Sequence, residues 1–314
     1  MLDKTVVIAL GGNAISMPQS VGTIPDQFGA TRATCPHIVR VIERGYNIIL
    51  THGNGPQIGN VLRRVERARD VIYPLPLDIC VADTIGGMGY MIQQCMENAL
   101  FRQNLRRTII TVITQMVVAA DDPAFQNPTK PIGPFMTREE AEERRSREGW
   151  MVTEDSGRGY RRVVPSPRPL RIVEISAIRN LVESGCIVIA CGGGGIPVVV
   201  DADGALTGVE GVIDKDLATA LLAAELGIGT MIVSTGVEKV AIQFNKPGQR
   251  RLDTLTVAEA KKYLSDGEFP AGSMGPKIEA AVQFLEHGGR EVIITTPEHI
   301  ADALDGDCGT RVVP

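Results

Sequence analysis

The chain has 314 residues, 44% hydrophobic and 22% charged, a balance that argues against a disordered, collagen-like or coiled-coil chain. Lys and Arg number 32 against 37 Asp and Glu, a net charge of −5, and aromatics are only 4%. With neither a basic excess nor stacking surfaces, no nucleic-acid partner is expected. The length suits one large or two modest domains with a substantial core.

In chain order, Thr5–Leu10 (TVVIAL) is predicted as a buried strand. It is too short for the apolar core of a signal peptide, and no run approaches the ~18 apolar residues of a membrane span. A cytoplasmic protein without membrane partners is therefore expected. Further buried strands are predicted at Tyr46–Thr51, Thr108–Thr114, Cys186–Cys191, Thr230–Ser234 and Glu291–Thr295, rich in Val and Ile and apolar on both faces. Helical patterns fall between them at Gln27–Arg44, Pro56–Arg69, Asp78–Leu100, Val173–Ser184, Lys215–Glu225, Val257–Leu264 and Pro276–His287. This alternation predicts an α/β fold with a largely parallel sheet. Between about 119 and 170 it stops. Prolines crowd there, Arg138–Arg147 is strongly charged, and we expect a protruding subdomain with a small helix and a hairpin. The rhythm then restarts, which suggests an N-terminal lobe over 1–172 and a C-terminal lobe over 173–314. The six cysteines are scattered, with no C-x-x-C. They read as small buried apolar residues in a reducing compartment rather than as a zinc site.

Three predicted strands end in glycine-rich turns: Gly11-Gly12-Asn13, Gly53-Asn54-Gly55 and Gly192-Gly193-Gly194-Gly195. Ligands of open α/β sheets bind beyond the carboxyl ends of the strands, where glycine lets backbone N–H groups face an anion. Three such turns point to a site for phosphates, or for phosphate and carboxylate; separately each could be a tight turn. There is no G-x-x-x-x-G-K-[ST] and no G-x-G-x-x-G after the first strand, which disfavours a P-loop or a dinucleotide fold. Three lysines could neutralise phosphates. Lys215, flanked by Asp214 and Asp216, stands at a helix start, where a solvated first turn is the plainer alternative. Lys277 follows Met274-Gly275-Pro276 at another helix start, and Lys130 sits among prolines in the excursion. His52 reads as a hydrogen-bonded structural histidine, with a general base as the alternative. Arg161 and Arg162 read chiefly as stabilising the excursion through carboxylates, with a phosphate contact as the alternative, and Trp150 as packing of the excursion.

Together, ALGGNA, THGNGPQIG, ITQ with DDPAFQNPTKPIGPF, RRVVPSPRP, CGGGGIPV, VIDKDLA and GSMGPKI resemble carbamate kinase, within the amino-acid kinase family. The resemblance implies a three-layer αβα sandwich whose protruding subdomain covers the substrate. It also implies Mg²⁺-dependent phosphoryl transfer between ATP and carbamate, often run toward ATP in catabolism, by a cytoplasmic homodimer. By the same resemblance, Gly11, Gly12, Asn13, Gly53, Asn54 and Gly55 would hold the carbamoyl end. Lys130 would reach in from the lid, and Lys215 and Lys277, oriented by Asp216, would neutralise the transferring group. Gly193 and Gly194 would approach carbamoyl phosphate. Gly195, Asp214, Ser234, Gly236, Val237, Val240, Met274 and Gly275 would border the nucleotide, with Mg²⁺ held mainly by phosphate oxygens. Two departures stand out. Relatives usually carry an Asp and a Tyr where this chain has Gly236 and Ala241, and a Gln where it has Ile85. Two alternatives stay open: a relative using carbamoyl phosphate with another acceptor, and a non-catalytic metabolite sensor.

Overall fold

Thr5–Leu10 is buried along its whole length, forms strand β1 and divides its side chains between the two faces of a sheet. Val7 and Ala9 join one apolar cluster, while Val6, Ile8 and Leu10 join the other. This two-sided burial is what a continuous apolar run encodes. The computed structural model describes residues 2–15, 22–155, 159–269 and 273–314.

After β1 the chain runs through α1 (Ile24–Glu43), β2 (Asn47–His52), α2 (Gly55–Ala68), α3 (Leu77–Arg102), β3 (Ile109–Thr111) and β4 (Gln115–Val117). The excursion holds β5 (Lys130–Met136), α4 (Arg138–Glu148), β6 (Val152–Glu154) and β7 (Tyr160–Val164). Beyond it lie β8 (Arg171–Ile172), α5 (Ile175–Glu183), β9 (Ile187–Ile189), β10 (Ile196–Val200), β11 (Leu206–Gly208) and α6 (Lys215–Leu226). Next come β12 (Thr230–Ser234), β13 (Ala241–Ile242), β14 (Arg250–Arg251), β15 (Thr254–Thr256) and α7 (Val257–Ser265). The chain closes with α8 (Met274–Glu286), β16 (Glu291–Thr295), α9 (Ile300–Asp305) and β17 (Thr310–Val313).

The main sheet has the order β15-β17-β16-β12-β1-β2-β9-β3 and is parallel except where β17 meets β16. Residues of α1, α3 and α9 cover one face, and residues of α5, α6, α7 and α8 the other, giving the αβα sandwich. Each fully buried Ile or Leu of these clusters contributes about 1.5–3 kcal/mol. A second sheet, β11-β10-β4-β8, flanks the base of the excursion. The sheet continues past the division expected near residue 172, because β9, from beyond it, lies between β2 and β3.

The expected strand Thr108–Thr114 holds only β3, and the next strand, β4, begins just beyond it at Gln115 in a different sheet. Val112 N still donates to Ile189 O, but Thr114 turns away and its hydroxyl accepts from Cys191 N. The excursion carries a three-stranded antiparallel sheet, β5-β7-β6, and a helix, rather than a hairpin and a helix. Pro131 and Pro134 lie in β5, an edge strand, where prolines are tolerated. The lid sits close on the body. A Cβ on Gly59 of α2 would stand 1.9 Å from the Gly133 Cα, so the two backbones meet where only glycine fits. Ile132 and Val164 complete a cluster with Ile58, Val81 and Ile85. Ile85 is thus a core residue joining α3 to the lid.

Candidate active site

The carboxyl ends of β1, β2 and β12 and the turn after β9 meet the N-termini of α6 and α8. Asp214 caps α6, accepting from Asp216 N at 2.8 Å and Leu217 N at 3.4 Å. Its other oxygen accepts from Lys130 Nζ at 2.5 Å, which ties the lid to this helix start. Burial alone would raise the Asp214 carboxyl, but Lys130 outweighs it and holds the carboxyl below the usual carboxylate range. Asp216 is 3% exposed. Its two oxygens accept from different lysines, Lys215 Nζ at 2.5 Å and Lys277 Nζ at 3.2 Å. Burial opposes its charge, yet Lys215 and Lys277 together hold the carboxyl far below its ordinary value. Burial lowers Lys215 despite Asp216, with Lys277 adding to the shift; Lys277 is itself raised, because Asp216 and Asp214 outweigh its burial. Two ammonium groups on one buried carboxylate leave a net positive charge facing the pocket. In a desolvated setting that charge acts far more strongly than in water.

The glycine turns converge on these lysines. Gly53 stands against the aliphatic stem of Lys215, where a Cβ would lie 3.3 Å from Cδ. The turn after β9 runs through left-handed backbone at Cys191, Gly193, Gly194 and Gly195, and Gly194 rests on Ile213 O. Successive left-handed and turn conformations aim N–H groups inward, as in anion-binding nests. Gly11 abuts Ser234 O, Gly12 is exposed, and Gly53 N donates to Leu10 O at 3.3 Å, so the turns after β1 and β2 adjoin. The Asn13 side chain and Gly272 lie outside the described residues.

The turn after β2 also has a buried underside. The Asn54 amide donates to Thr84 Oγ1 at 3.0 Å and lies beneath Gly193, so its side chain organises the turns. His52 is fully buried beneath Gly192. Thr51 Oγ1 pairs with Thr219 Oγ1 at 2.7 Å, and Thr219 donates to Lys215 O at 2.6 Å. His52 is the buried, hydrogen-bonded histidine that the sequence suggested, whereas the pairing of Asn54 with Thr84 and of Thr51 with Thr219 was missed, because those partners lie 30 and 168 positions away. Arg161 pairs with Asp155 at 3.0 Å, donates to Gly133 O and stands near Gly55. Arg162 pairs with Glu66 of α2 at 2.6 Å and lies over Trp150, as does Arg144.

The residues expected beside a nucleotide divide by exposure. Gly236 is exposed, Val237 and Met274 are half-buried, and Gly275 is buried. Val240 is fully buried in the core, its N–H donating to Thr310 Oγ1, so its side chain supports the surface rather than forming it. Ser234 is fully buried, and among the described residues its hydroxyl has no partner. Among the described residues no group of three or more His, Cys, Asp or Glu could hold a metal ion, and no helix is long and apolar enough to cross a membrane.

Comparison with known proteins places this geometry. Residues 4–296 match the model of the amino acid kinase family. The chain is 48% identical to the carbamate kinase-like protein YahI of Escherichia coli K12, covering 99% of each chain. It is 45% identical to a carbamate kinase of Pyrococcus furiosus, covering 100% of each. A structure of carbamate kinase from Giardia lamblia bound to AMP-PNP superimposes with a TM-score of 0.90 at 41% identity, covering 100% of this chain and 99% of that one.

Proposed function

The chain belongs to the amino-acid kinase family, and from that premise we propose that it is a carbamate kinase, catalysing ATP + carbamate ⇌ ADP + carbamoyl phosphate. The observation that carries this reading is Lys215 and Lys277 sharing the buried Asp216 beside the glycine turns. Phosphoryl transfer asks for positioned positive charge in a dry site and little covalent chemistry from the protein. Carbamate is already a nucleophilic anion and needs no general base. In this reading Gly11, Gly12, Asn13 and the 53–55 turn hold the carbamoyl end over residues 1–172. Lys130 leaves Asp214 for the substrate, and Gly193 and Gly194 meet the phosphate. The nucleotide lies over residues 173–314, against Gly195, Ser234, Gly236, Val237, Met274 and Gly275.

Mg²⁺ fits as part of the nucleotide substrate. Asp214 and Asp216 are both committed to lysines, so phosphate oxygens supply its ligands. Carbamoyl phosphate is a mixed anhydride of high transfer potential, which favours ATP formation in a catabolic setting. The cysteines Cys35, Cys80, Cys95, Cys186, Cys191 and Cys308 are free thiols, which fits a cytoplasmic location. A homodimer fits the exposed apolar residues Ile79, Tyr90 and Phe101 of α3, with Val71, Ile72 and Tyr73 nearby in sequence. Sedimentation at micromolar concentration checks it: a single species of monomer mass rejects the dimer.

The deciding experiment measures ATP formed from ADP, carbamoyl phosphate and Mg²⁺. A second reading, carbamoyl phosphate used with another acceptor, is favoured by Gly236 and Ala241 and by the relative named only carbamate kinase-like. Tight carbamoyl phosphate binding without ATP formation from any nucleoside diphosphate selects it.

A further inference from the structure

His52 is completely buried, directly precedes the Gly53 turn, and its ring lies against Gly192. A Cβ on Gly192 would stand 2.4 Å from His52 Nε2, so the ring itself sets how closely the 192–195 turn can approach β2. Nδ1 lies 3.1 Å from Gly53 O. A carbonyl only accepts, so Nδ1 carries the proton and donates. Among the described residues Nε2 has no partner. The same ring therefore bonds one glycine turn and supports the other, while its neighbour Asn54 lies beneath Gly193.

We propose that His52 is a positioning residue for phosphoryl transfer: with its proton on Nδ1 and Nε2 bare, it fixes the 53–55 turn against the 192–195 turn, so that both backbones face one phosphate. The proposal rests on the kinase reading for its role and on geometry alone for its tautomer. The charged group that acts on the ring is Lys215 from α6. Burial, reinforced by that ammonium and opposed by the bond to Gly53, holds the imidazole pKa down to about 4, so the ring stays neutral near pH 7. A charged ring here would set like charge against the Lys215 ammonium. The effect passes through backbone placement, and a shift of about 1 Å in such groups costs as much as ~10²-fold in rate.

Two measurements test this. The first is a long-range ¹H–¹⁵N spectrum of histidine-labelled wild-type protein, with His52 assigned by its loss in His52→Asn. The expected result is a neutral ring protonated at Nδ1 that does not titrate between pH 5 and 8. A ring protonated at Nε2, or one titrating near pH 6.5, overturns the proposal. The second compares His52→Asn, whose amide can still reach Gly53 O, with His52→Leu, which cannot. His52→Leu is expected to lose at least about 10-fold in kcat with KM values little changed, and His52→Asn to recover most of it. Equal losses in both, or none in either, would assign His52 to packing and overturn the proposal. If neither variant folds, the wild-type spectrum decides alone. Absence of turnover in the wild-type protein refutes the kinase reading, and with it the positioning role, while the spectrum still reports the tautomer.

Discussion

At the scale of single residues, the site concentrates its charge on Asp216. Lys215→Ala or Lys277→Ala leaves the remaining lysine on that carboxylate, so the protein should fold while turnover falls about 10²–10³-fold. Near-normal kcat in both folded variants would remove them from the chemistry. Phosphate contacts do not distinguish bases, and Gly236 presents no side chain. Discrimination among ADP, GDP and CDP should therefore be loose and should sharpen in the Gly236→Asp/Ala241→Tyr double variant; equal discrimination in both proteins rejects this role. Much of this site was legible because the chemistry needs uncommon placements, namely glycines directly after buried strands and lysines at helix starts. Its supports were not. His52 read as a structural histidine, but the glycines that it and Asn54 meet lie about 140 positions away, and the expectation of Asp214 beside the nucleotide did not foresee its helix cap and its bond to Lys130.

At the scale of elements, the lid is held by the Gly59–Gly133 backbone contact, by the apolar cluster of Ile132 and Val164 with Ile58, Val81 and Ile85, and by ion pairs that include Lys130 with Asp214 and Arg162 with Glu66. Burial raises the Glu66 carboxyl in spite of Arg162. Gly59→Ala must push α2 and β5 apart, and overpacking of this kind costs about 1–3 kcal/mol. Its expected signature is a raised KM for carbamoyl phosphate, shared with Lys130→Ala, and faster tryptic cleavage within the arginine-rich α4. An unchanged KM in both variants would separate the lid from the substrate. Strands buried on both faces were easy to read: β1, β12 and β16 have the limits their apolar runs predict. The run from Thr108 to Thr114 misled because hydropathy does not record where a chain changes sheets. The prolines of β5 concealed an edge strand.

At the scale of the molecule, His52 links acidity to stability. Its folded pKa of about 4 lies below the ordinary 6.5. The fold thus favours the neutral ring, a contribution complete above pH 6.5 and lost as pH falls toward 4. In full it amounts to about 3 kcal/mol, of which about 2 kcal/mol is gone by pH 5. Urea unfolding of wild type and His52→Asn at pH 7.5 and 5 isolates this share. An equal acid sensitivity in both would show that other groups carry it.

The placement of β9 between β2 and β3 also bears on biosynthesis. When the first 172 residues have left the ribosome, β2 and β3 still lack the strand that joins them. Each then presents an open, apolar edge of the kind that pairs with foreign chains. The N-terminal half cannot finish folding as it emerges, however complete its own helices are. A fragment ending at residue 172 should therefore be recovered as aggregate, and one reaching the end of β9 in more soluble form. Equal solubility of the two fragments would mean that the N-terminal half closes its sheet by itself.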